Sequence, residues 1–67
     1  MNQEVIAAAR RHIADVETRI AEQWSLLDNL VAEDREASET IRTLRQLQQT
    51  LLLSKEHVRF MLRHEEG

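Results

Sequence analysis

"LVAEDREASET", running from Leu30 to Thr40, lies at the middle of a 67-residue chain and decides how that chain folds. Hydrophobic spacing is helical on both sides of it, yet the stretch contains neither glycine nor proline. It is either an unbroken part of one long helix or the bend between two.

The residues before it form a heptad seam. Ile6, Ala9, Ile13, Val16, Ile20, Gln23, Leu27 and Leu30 alternate spacings of three and four, the a and d positions of a heptad, and only Gln23 among them is strongly polar. Such a stripe lies along one side of a helix, where a neighbouring helix can cover it. Ala, Glu, Arg, Gln and Leu dominate the composition here, and all favour helix. Asn2 is suited to the N-cap, and Glu4 in the first turn suits the positive helix end.

Continued without a break, the same register would place Asp34, Lys55 and Glu65 in the seam. A second phase, Ala37, Thr40, Leu44, Leu47, Leu51, Ser54, Val58 and Met61, contains no charge. Burying unpaired charge costs several kcal/mol, so the shifted phase is preferred. The register therefore slips inside the central stretch. Folding the chain there pairs 30 with 37, 27 with 40, 23 with 44, and so on to 6 with 61.

The connection between the seams, Val31 to Glu36, reads "VAEDRE" and has a length usual between packed helices. Asp34 is the expected cap of the second helix, with Glu36 near its positive end. The absence of glycine leaves the first helix without the usual left-handed C-cap. The alternative is a continuous parallel coiled coil that absorbs the slip as a stammer. The expected fold is all-α: a single domain over residues 1–67, with helix 1 over about 3–31, a turn over about 32–36 and helix 2 over about 37–65. This antiparallel, coiled-coil-like hairpin is expected to dimerise into a four-helix bundle.

Dimerisation is expected on two grounds. A chain of this length buries only about 60% of its unfolded surface, and with no cysteine it has no disulfide to reinforce the core. The seams also leave large apolar side chains unused: Val5, Trp24, Leu26, Val31, Ile41, Leu52, Leu53 and Leu62. Contiguous exposed apolar surface marks interfaces, and two-fold dimers are the commonest assemblies. Trp24, Leu26, Val31 and Ile41 gather towards the turn on flanking e and g positions and are the interface candidates. An unidentified protein partner is a further possibility for the same surface.

Net charge is -3, with acids and bases interspersed, which argues against an electrostatic nucleic-acid binder. Lys55 is the only lysine, unlike a lysine-rich membrane-surface helix. No apolar run approaches the roughly 20 residues needed to span a bilayer, and the start lacks the pattern of a signal peptide. A cytoplasmic location is the expectation.

His12, His57 and His64 are the only residues worth testing as a site. In the hairpin His12 faces the region of Lys55 and His57 faces Arg10. A zinc site from His12, His57 and an acidic neighbour such as Asp15 is geometrically conceivable, but no strong ligand motif is present. Arg10, Arg11 and Lys55 would oppose a cation there. The serines and threonines have no activating histidine–carboxylate arrangement, and carboxylate pairs such as Glu33–Asp34 and Glu65–Glu66 sit at solvated ends. No catalytic, cofactor or metal site is expected, and the chain is read as a non-enzyme. Gln23 in the seam is read as fixing register.

The runs "RRHIADVETRIAEQ" (Arg10–Gln23) and "LRQLQQTLLLSKEHVRFML" (Leu44–Leu62) resemble a group of short uncharacterised proteins from alphaproteobacteria. The resemblance implies a helical hairpin and brings no activity or functional residue with it. That group carries a glycine near the middle, where this chain has Asp34. In size and architecture the chain is also similar to plasmid copy-number regulators of the Rop type, dimers of helical hairpins that bind paired RNA loops. That likeness implies an alternative function as an RNA-binding regulator, with Arg10, Arg11, Arg42, Arg45, Arg59 and Arg63 as candidate phosphate contacts.

Overall fold

In the computed structural model, which describes residues 3–66 and side chains as far as His64, two helices pack against each other as a hairpin. Helix α1 spans Gln3–Ala32 and α2 spans Ser38–Glu66, joined by residues 33–37. The expected cap at Asn2 and the side chains of Glu65 and Glu66 lie outside the described residues.

The two heptad phases account for the burial. Ile6, Val16 and Leu30 of α1 are buried, as are Thr40, Leu44, Val58 and Met61 of α2. Every remaining seam position is half-buried. Off the seams, only Thr43 and Leu62 among the described side chains are withdrawn from solvent to a similar degree. Leu62, expected among the exposed apolar residues, is therefore half-covered, while Phe60 is exposed in its stead. Leu62 stands beside the seam on its flank and is withdrawn there in part.

The turn differs from expectation in one respect with a clear physical cause. Asp34 does not cap α2. It adopts a left-handed conformation, φ 55°, and terminates α1. Its N–H donates to the Val31 carbonyl at 3.1 Å, and the Arg35 N–H donates to the Leu30 carbonyl at 2.8 Å. This is the paired closure of a Schellman motif, with aspartate in the place that glycine usually takes. Asp visits that conformation more readily than most residues because its short polar side chain can hydrogen-bond locally.

The start of α2 is held by Glu36. Its carboxylate accepts the Ser38 backbone N–H at 2.7 Å and also the Ser38 hydroxyl. The backbone bond satisfies one of the donors that the first helical turn leaves open. Both bonds hold the Glu36 carboxyl below its ordinary pKa, the hydroxyl contributing most and the backbone of Ser38 next. The Ile41 N–H then donates to the Ala37 carbonyl at 3.0 Å and the helical ladder begins. Glu39 in the first turn of α2 and Arg63 and His64 in its last turn complement the helix dipole.

The result is one layer of two helices, with dimensions of 53 × 15 × 11 Å. Its radius of gyration is 15.6 Å, against about 11 Å for a compact chain of this length. No helix among the described residues is long and apolar enough to cross a membrane.

Candidate interaction surface

With one helix per seam partner, each helix keeps two flanks. In heptad terms the e and b positions lie on one side of the seam and the g and c positions on the other. The pairing of flanks is seen in a contact: Lys55 Nζ stands 3.8 Å from Glu17 Oε2, each residue one place after a seam d position. Both e rows therefore share one side of the hairpin.

Trp24 and Val31 of α1 and Ile41 of α2 occupy e positions and belong to that side, towards the turn. Trp24 is 47% exposed and Val31 67%, so each presents a large part of an apolar side chain to solvent. Leu26 is exposed too, but it is a g residue and lies on the opposite side. The four interface candidates thus divide three to one. Leu52, at a b position, extends the Trp24 side along α2, while Leu53 and Phe60 extend the Leu26 side. The split follows from antiparallel pairing and is hidden if e and g are grouped simply as flanks.

On the Trp24 side near the turn, Ser38, Ile41, Arg42 and Arg45 line a shallow depression of about 290 Å³. Arg42 is engaged with Glu39 at 3.2 Å. Other ion pairs are local to one helix or to the turn: Arg19 with Asp15 at 3.3 Å and Arg35 with Glu33 at 3.2 Å. All are exposed, and such pairs contribute about 0–1 kcal/mol each.

The histidines lie on the Leu26 side, all at g positions. His12 and His57 are exposed. Among the described residues no group of three or more His, Cys, Asp or Glu is placed to hold a metal ion. His64 packs its ring on Phe60, with centroids 4.1 Å apart and planes inclined by 39°. This contact is one helical turn long and was not foreseen from the sequence, although the i, i+4 spacing announces it.

Comparison with protein-family models, with curated proteins and with solved structures gives no match.

Proposed function

We propose that the chain is a helical interaction protein whose hairpin associates with a second copy through the apolar surface near its turn, forming a four-helix bundle. The observation that carries this reading is an excess of surface. The hairpin exposes 5304 Å², whereas a compact monomer of 7.9 kDa exposes about 4,400 Å². The difference of about 900 Å² is close to the share of about 800 Å² that each partner buries in a standard interface. Large apolar residues occupy that surface on both helices, Trp24 and Ile41 among them. Tryptophan is enriched among residues that dominate binding energy, which makes Trp24 the natural anchor.

The test is thermal melting at several chain concentrations. Association couples stability to concentration, so the melting midpoint rises as the chain is concentrated. A midpoint that stays constant over a hundredfold range removes the proposal.

A further inference from the structure

Resting on that self-association, we infer that the covered side is the one bearing Trp24, Val31, Ile41 and Leu52, and that the second copy lies turn beside turn about a two-fold axis parallel to the hairpin's length. Three observations select this side and this orientation.

The seam itself is asymmetric. Its polar members, Gln23, Thr40 and Ser54, are all d residues, which lean towards the Leu26 side. Its a residues, leaning the other way, are all aliphatic, and Ile13, Ile20, Leu27 and Leu51 among them remain half-buried in the hairpin. At 100° per residue the centre of the e and b positions lies about 100° round the helix from the seam. A second layer placed there finishes the burial of the a residues, as the square section of a four-helix bundle requires.

Size and charge then choose the orientation. With turns together, α1 of one copy lies over α2 of the other, and residues whose numbers add to about 66 come level. Ala21, Ala14 and Ala7 then stand opposite Arg45, Leu52 and Arg59, a small residue facing each long one. Glu17, 3.8 Å from its own Lys55, comes level with the uncharged Gln49 of the second copy. Crossing the copies about their midpoints instead lays α2 on α2, with Arg45 beside Arg59, and brings Glu17 near Glu17. Like charges in such positions are disfavoured.

The depression near the turn provides the anchor point. Trp24 of the second copy comes level with the space between Ile41 and Arg45, which line it. An indole seated there covers Ile41 and meets the Arg45 guanidinium over its ring face. Asp28 of the second copy follows one turn later, on the same side as Arg45.

The chain has no cysteine, so engineered thiols report the arrangement directly. A mixture of the exposed-site variants Ala14→Cys and Leu52→Cys is oxidised mildly and run on non-reducing gels, beside each variant alone. Sedimentation of the unsubstituted chain is measured in parallel. The expected result is a disulfide-linked pair in the mixture only. Self-linking of Leu52→Cys alone overturns the orientation. Linking of an Asp15→Cys and Leu53→Cys mixture instead overturns the choice of side. No linking in either mixture, with a sedimenting mass of twice 7.9 kDa, overturns this arrangement and leaves self-association standing. A mass of 7.9 kDa overturns both.

Discussion

Glu17 on α1 and Lys55 on α2 approach to 3.8 Å across the hairpin, each directly following a seam residue, Val16 and Ser54. The pair marks which flanks of two antiparallel helices lie side by side, although it is half-exposed and weak in energy. In the proposed bundle both residues lie on the covered side. Lys55→Glu is therefore expected to lower the population of the associated form more than it lowers hairpin stability, which changes by less than about 1 kcal/mol. The double variant Glu17→Lys with Lys55→Glu restores association. Sedimentation of the three proteins at one concentration checks this; a restored mass is the predicted result, and no recovery in the double variant contradicts it.

Asp34 carries the left-handed residue at the end of α1. A side chain in that conformation costs free energy that glycine avoids. Asp34→Gly should stabilise the hairpin by about 0.5–1 kcal/mol, net of the greater freedom glycine has when unfolded. In a domain this small that corresponds to a rise of about 2–8 °C in melting temperature. A calorimetric scan showing a fall instead would mean that another feature of Asp34 holds the turn.

Glu36 gives the start of α2 a pH dependence. Its carboxyl is held below the ordinary value of 4.5 by the bonds from Ser38. A group whose folded pKa is lowered adds stability that is complete above its unfolded pKa and disappears as pH falls through its folded one. Glu36→Gln should therefore melt earlier than the unsubstituted chain at neutral pH, and the gap should close below the depressed pKa. Circular dichroism melts from pH 7 to pH 3 follow it. A gap unchanged across that range would assign the effect of Glu36 to something other than its charge.

Gln23 is half-buried and comes level with the buried Leu44. An amide in such a seam narrows the choice of register and costs stability. Gln23→Leu is expected to gain about 1 kcal/mol from added apolar burial while losing a single well-defined assembly. Melting and sedimentation distributions together test this: a less stable variant, or a more stable one with one sharp species, is the contrary outcome.

The two seams were legible in the sequence because their period is strict and because the alternative phase would have buried Asp34, Lys55 and Glu65. Charge avoidance located the bend without a glycine or proline to mark it. The role of Asp34 was not legible, because a left-handed aspartate is chosen by the hydrogen bonds that close α1 on Leu30 and Val31, and these exist only once the chain has turned. The surface candidates were found as apolar residues off the seam, but grouping e and g positions together hid their division. Placing Trp24 and Ile41 on one side and Leu26 on the other follows from the antiparallel pairing the seams imply, which Glu17 and Lys55 display. Leu62 shows the limit of counting off-seam residues as exposed, since it flanks the seam and is half-covered.

Sedimentation equilibrium of the unsubstituted chain across a range of concentrations tests self-association most directly. Self-association gives a mass that rises to a plateau at twice 7.9 kDa. A single species of 7.9 kDa at every concentration would contradict it, and the apolar side of the hairpin would then need an occupant other than a second copy.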